Sequence, residues 1–176
     1  MNRALVFVGA VLVTVVTVSS TCVAQSSEQI RFTAESQRGD AAKIQVSFRD
    51  SEQGDRHNNW STEFSPAELS GLEVSTFRAA GSRPVHFAIA REAGRLDCAG
   101  TGGSGSASGN CRFTENAGFS QMLANRGIGR PTYRQAFGLM AVNARREVID
   151  CLVAAHYPTP RLDDLMALSA LDVDRG

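Results

Sequence analysis

The sequence predicts an α+β protein: an antiparallel sheet of five or six strands, including a three-stranded meander, followed by a helical repeat or bundle of about four short helices. Three observations predict it. Apolar residues alternate with a period of two in short runs from Ile30 to Thr114. Beyond Asn116 the spacing changes to three and four. Strands first and helices second is the order of α+β domains, not of alternating α/β folds.

The elements follow in order. Ile30, Phe32 and Ala34 alternate in a short strand, and a turn with Gly39-Asp40 leads to a second, with Ile44, Val46 and Phe48 on one face and Lys43, Gln45, Ser47 and Arg49 on the other. A polar loop precedes Trp60, Thr62 and Phe64, a short edge strand. Ser65-Pro66-Ala67-Glu68 is a helix start, with a capping serine, proline at the first helical position and glutamate at the third. Residues 73–83 read as a short helix or irregular chain. Val85, Phe87 and Ile89 alternate with His86, Ala88 and Ala90, and Glu92-Ala93 turns the chain back through Leu96 to Ala99. A glycine-serine segment turns it again into Asn110–Thr114. Helices are then expected around Phe119–Leu123, after Thr132 as the cap, from about Asn143, and over Leu162–Ala170.

Residues 1–24, MNRALVFVGAVLVTVVTVSSTCVA, carry Arg3 ahead of an apolar run and small residues at Cys22 and Ala24. This is the pattern of a secretory signal peptide cleaved after Ala24. The alternatives are an uncleaved membrane anchor and lipidation of Cys22, whose preceding Ser-Ser-Thr fits a lipobox poorly. The expected organisation is a signal peptide over 1–24, a sheet region over 25–116 and a helical region over 117–176, the last two packed as one unit. The expected address is periplasmic or secreted, with membrane contact only if the first segment is retained.

Of the chain's 176 residues, 43% are hydrophobic, enough for one core. Eighteen basic residues balance eighteen acidic ones. No net field favours a polyanion, so composition gives no argument for nucleic-acid binding. Lys43 is the sole lysine, which leaves lysine chemistry one candidate.

An oxidising compartment permits disulfides. Pairing the strands around Ser104-Gly105 sets Cys98 opposite Cys111 and Leu96 opposite Phe113 at once, so a Cys98–Cys111 bridge is expected. Its loop is short, and the stabilisation is modest, about 2–3 kcal/mol. Cys151 lies on the apolar stripe of REVIDCLVAAHY and is expected free and buried as a small hydrophobe. It does not pair with His156: five residues apart on a helix, the two point about 140° apart.

The helical part holds a weak repeat. ANRGIGRPTYRQAFGLM aligns with VAAHYPTPRLDDLMAL, Gly127-Ile128 falling on His156-Tyr157 at an offset of 29 and Phe137 and Met140 on Leu165 and Leu168 at 28. One residue is thus expected to be gained or lost between the halves.

Arg91-Glu92-Ala93-Gly94, the strand from Gly109 to Asn116, and Asp163-Asp164-Leu165-Met166-Ala167-Leu168 together resemble the C-terminal exported region of bacterial beta-lactamase-regulator-like proteins associated with M56 peptidases. The resemblance spans roughly residues 60–173. It implies an exported strand-then-helix architecture without the protease part, since no HExxH occurs, and it carries no catalytic residue. Cysteines at 98 and 111 depart from the pattern.

Chemical motifs are few. Gly100–Gly105 matches GxGxxG formally, but a strand rather than a helix follows, so no helix N-terminus meets a phosphate. His57, His86 and His156 are too dispersed for a local metal motif. Asp163 and Asp164 open a helix, where acidic side chains suit its dipole. No metal, nucleotide or other cofactor is expected. Arg126, Arg130 and Arg134 step by four, with Arg145 and Arg146 beyond. They are the candidate contact surface for an envelope protein or peptide; a solvated face is the plainer account. The expected function is a non-enzymatic, exported binding module of the bacterial envelope. A structural envelope protein and an unrecognised hydrolase are the alternatives.

Overall fold

A computed structural model describes residues 30–37, 43–50 and 59–172. The N-terminal segment with Cys22, the Gly39-Asp40 turn and the loop carrying His57 lie outside the described residues. Six strands, β1 (Ile30–Ser36), β2 (Ile44–Asp50), β3 (Asn59–Phe64), β4 (Arg83–Arg91), β5 (Gly94–Gly103) and β6 (Ser106–Glu115), form one antiparallel sheet in the order β3-β2-β1-β6-β5-β4. The period-two pattern sorts its faces. Ile30, Phe32, Ala34, Ile44, Val46, Phe48, Val85, Phe87, Ile89, Leu96 and Phe113 are buried on one face, while the other is mostly polar, with alanines at Ala88, Ala90 and Ala99.

The sheet is strongly curled around that apolar face. The Phe32 and Phe87 rings meet edge-to-face at 5.0 Å, although β6 and β5 separate their strands. A flat sheet would hold those strands roughly 14 Å apart. The contact passes over the facing pair Gly100 and Gly109, and a Cβ on Gly109 would lie 2.8 Å from the Phe32 ring. The two edges also approach each other: the Arg91 guanidinium of β4 lies 5.8 Å from the Trp60 ring and 5.4 Å from the Phe64 ring of β3. Between these edges, a 3-10 turn (Pro66–Glu68) with the expected capping box leads to Ser70, which exchanges both backbone hydrogen bonds with Ala88 on β4.

The expected register of the central hairpin is observed: Cys98 faces Cys111, Leu96 faces Phe113, and the cysteines are disulfide-bonded. The glycine-serine segment is regular paired strand almost to its tip, where Ser104 is exposed. β5 and β6 continue through it to a two-residue turn at Ser104-Gly105, where φ is 55° and 80°. The turn docks under α1 (Val74–Arg78): the Ser104 and Gly105 amides donate to Ala79 and Phe77 carbonyls at 2.7 and 3.0 Å. Gly103 has no room for a side chain, since a Cβ there would sit 2.0 Å from the Gly81 carbonyl oxygen. The glycines serve close approach.

At the other end of the sheet, α2 (Ala117–Asn125), α3 (Tyr133–Ala141), α4 (Arg146–Ala154) and α5 (Leu162–Asp172) pack as the helical region. With α1 there are five α-helices among the described residues, one more than the approximate number expected, because residues 74–78 complete a turn. Asn116 starts α2, its side-chain oxygen accepting from Gly118 and Phe119 amides while its Nδ2 donates to the Glu92 carbonyl. Thr132 and Gln135 form a capping box on α3. Phe113 meets Tyr133 and Phe137 edge-on at 5.4 and 5.5 Å, joining β6 to α3.

Three helices of nine residues, α2, α3 and α4, end in the same way. Gly127, Asn143 and His156 take left-handed φ of 76°, 53° and 55°. The next amides, of Ile128, Ala144 and Tyr157, reach back to the carbonyls of Leu123, Leu139 and Leu152 at 3.1, 2.8 and 2.9 Å. This is the Schellman arrangement, which satisfies carbonyls that a helix end would otherwise leave unpaired. α4 begins 29 residues after α2, and α5 begins 29 residues after α3. The repeat is therefore in constant register, and the expected one-residue shift is absent: buried Ala136 and Met140 correspond to buried Leu165 and Ser169.

Candidate functional site

Arg126, Arg130, Arg134, Arg145 and Arg146 are all exposed, and each also has a partner within the molecule. Arg126 bridges to Asp150 at 2.6 Å, tying α2 to α4. Arg130 donates to the Gln121 side chain at 2.9 Å. The backbone amide of Arg146 donates to the Glu92 carboxylate at 3.1 Å, and its guanidinium lies 3.9 Å from the same group. Glu92 thus places a negative charge at the N-terminus of α4 from the β4–β5 turn, where the helix dipole favours it. Arg134 and Arg145 are exposed and also engaged. Arg126 thus fastens α2 to α4, and Arg146 fastens α4 to the β4–β5 turn.

Cys151 is free, as expected, but exposed rather than buried. The stripe of α4 turns Ile149 inward and leaves Cys151 on the outer side. There it shares a shallow groove with Val148, Leu152, Ala155, Leu168 and Leu171. Leu171 at 74%, Val153 at 60% and Tyr157 at 55% are the exposed large apolar residues among those described. Asp164 accepts from the Arg161 amide at the start of α5, where the acidic side chains are expected to suit the helix dipole. His86 and His156 are both exposed. Among the described residues no group of three His, Cys, Asp or Glu side chains converges to hold a metal, and no helix is long and apolar enough to cross a membrane. Gly100–Gly103 run inside β5.

Arg91 is a charged group whose pKa is displaced, and it is held on several sides. Nη1 donates to the Met140 and Ala141 carbonyls at 2.9 and 2.6 Å. Burial pulls its pKa below the ordinary arginine value, and the Glu68 carboxylate pulls it back up. With its charge shared between helix carbonyls and two rings, it acts as an internal fastener.

The remaining concentration of polar side chains lies on the outer face of the sheet. Strand register places Asn110, Arg31, Arg49 and Asn59 in one row across β6, β1, β2 and β3, each directly opposite the next. The adjoining row reads Ser108, Thr33, Ser47 and Ser61. Both Asn residues, both Arg residues, Ser108, Thr33 and Ser47 line a cleft of about 560 Å³ with Phe32 and Gly109 at its floor. A second shallow hollow adjoins it through Thr33 and Ser108 and runs over Thr101, Ser106 and Ser82. Period-two alternation marks these residues as outward-facing, but it does not show that Arg31 and Arg49 fall opposite each other. That depends on β1–β2 register across the intervening turn, and no motif in the sequence flagged it.

Comparison with known proteins finds no matching family model, no matching curated protein and no matching solved structure.

Proposed function

We propose that this chain is a non-enzymatic, exported binding module of the bacterial envelope that meets its ligand on the outer face of the sheet. The observation that carries the reading is the row Asn110–Arg31–Arg49–Asn59, four polar side chains brought together over one cleft by four adjacent strands. Sites on strands hold side chains more precisely than sites on loops. Guanidinium and amide groups hold a ligand by directed hydrogen bonds, which suits binding. Export rests on the apolar N-terminal run and on the Cys98–Cys111 bond, which persists in oxidising compartments.

The competing surface is the arginine-bearing helical region around 126–146, which would take an envelope protein or peptide. Its arginines are largely engaged within the molecule, which weighs against it. Amide shift mapping by NMR, with the polar fraction of an envelope extract from the native host, separates the two. Shifts are expected in β1, β2, β3 and β6. Shifts confined to 126–154 would return the contact to the helices, and chemical conversion of a bound component would overturn the non-enzymatic reading.

A further inference from the structure

We propose that the outer cleft takes an oxyanion, phosphate or carboxylate, carried on a small polyhydroxylated body such as an acidic sugar; this names the ligand class of the site just described and rests on that reading. Arg31 and Arg49 are directly opposite on antiparallel strands. Residues so paired have their Cβ atoms about 5 Å apart, and like charges there repel. No carboxylate among the described residues lines the cleft. Of the acids on this face, Asp97 pairs with Arg95 at 2.8 Å, and Glu63 is held by Lys43 at 3.0 Å and by Gln37. Glu35 lies opposite Gln45 and Ser106, beyond the hydroxyl row. An oxyanion between the guanidinium groups would replace the repulsion with charge-assisted hydrogen bonds, and each planar fork can grip two of its oxygens.

The rest of the ligand follows from the neighbours. Asn59 and Asn110 extend the row on either side with amides that both donate and accept. Ser108, Thr33 and Ser47 offer hydroxyls one row away, and the Ser47 and Ser61 hydroxyls already bond at 3.0 Å. No Phe, Tyr or Trp lies on the outward-facing positions of the described strands, since the aromatic rings of β1, β2 and β3 belong to the apolar face. Base or ring stacking is therefore not the mode of recognition. Directed hydrogen bonds to hydroxyl groups, anchored by one charged group, fit the lattice.

The test uses the whole exported chain and titration calorimetry at low ionic strength, with glucose 6-phosphate, glucuronate, inorganic phosphate and glucose as probes. Arg31→Gln, Arg49→Gln and, on the helical surface, Arg130→Gln are compared after circular dichroism shows each to be folded. The expected result is binding of at least one anionic sugar, weakened tenfold or more by Arg31→Gln and by Arg49→Gln, which corresponds to about 1.4 kcal/mol, and unchanged by Arg130→Gln. The stronger of the phosphate and carboxylate probes assigns the oxyanion. Absence of binding by both anionic sugars, or equal binding by wild type and both cleft variants, overturns the proposal. Glucose bound as tightly as its phosphate, with the cleft amides shifted, removes the oxyanion but leaves the binding module standing. Inorganic phosphate bound as tightly as the sugar phosphate removes the hydroxylated body. Loss confined to Arg130→Gln overturns both the ligand class and the outer-face reading.

Discussion

Arg91 donates from Nη1 to the carbonyl of Met140 at 2.9 Å, so an edge strand of the sheet caps the last turn of α3. The same guanidinium sits over Trp60 and Phe64 from the opposite edge. One side chain therefore ties together three parts of the chain that sequence separation keeps far apart. Replacing it by leucine leaves the Met140 and Ala141 carbonyls without that donor and removes the cation from two rings. Arg91→Leu is expected to lower unfolding free energy by about 2–4 kcal/mol in urea. Arg91→Lys is expected to recover part of the loss, since it keeps the charge without the planar fork. A loss below about 0.5 kcal/mol in the leucine variant would refute the fastening role.

Cys98 and Cys111 are bonded and Cys151 is exposed. Native protein lacking its first 24 residues should react with one equivalent of a thiol reagent, at Cys151, without denaturant. Peptide mapping under non-reducing conditions should recover 98 joined to 111. The double variant Cys98→Ser, Cys111→Ser is expected to lose about 2–3 kcal/mol. Slow labelling at the rate of global unfolding would show Cys151 to be buried instead.

The Gly100–Gly109 pair leaves no room for a Cβ. One on Gly109 would meet the Ala99 carbonyl oxygen at 2.2 Å as well as the Phe32 ring. Gly109→Ala should cost about 1–3 kcal/mol by overpacking. The thermal midpoint measures it, and an unchanged midpoint would contradict the close passage of Phe32 toward Phe87.

The shared helix endings give a prediction with opposite signs. Gly127→Ala forces an alanine into a left-handed conformation and should destabilise by about 1 kcal/mol. His156→Gly relieves the same strain in α4 and should stabilise by a similar amount, reduced by the freedom glycine adds to the unfolded chain. Both changes moving stability in the same direction would mean that these ends are not equivalent.

Intact-mass measurement of protein exported by its native host is expected to show loss of residues 1–24. Recovery of the full-length chain from the membrane fraction would establish the anchor instead.

The sheet-then-helix order, the hairpin register and the caps at Ser65 and Thr132 were legible because each depends on neighbours in sequence. Period-two alternation needs only a few residues, and the hairpin is pinned by two matching pairs, Leu96 with Phe113 and Cys98 with Cys111. The curl was not legible. It arises where Phe32 crosses two glycines to reach Phe87, and a glycine-rich stretch reads equally as a loose loop or as a place where rings lie close to backbone. Cys151 was misplaced because the α4 stripe is wide enough to bury Ile149 or Cys151 but not both. The spacing of the arginines of α2–α4 reports their shared face and not their partners, Asp150, Gln121 and Glu92. The outer-face cleft stayed hidden for a related reason: its members come from four strands, and only pairing register aligns them.

Beyond Cys98 and Cys111 the two arms of the hairpin carry Ala, Gly, Thr, Ser and Asn alone. Side chains so small discriminate poorly between alternative alignments of two strands, and a slip of one residue would exchange the faces of the sheet. Joining position 98 to position 111 leaves a single alignment for everything between them. The covalent bond thus works as an indexing pin. It lets a segment selected for thinness, so that α1 and the aromatic rings can lie against it, be nearly featureless without becoming ambiguous.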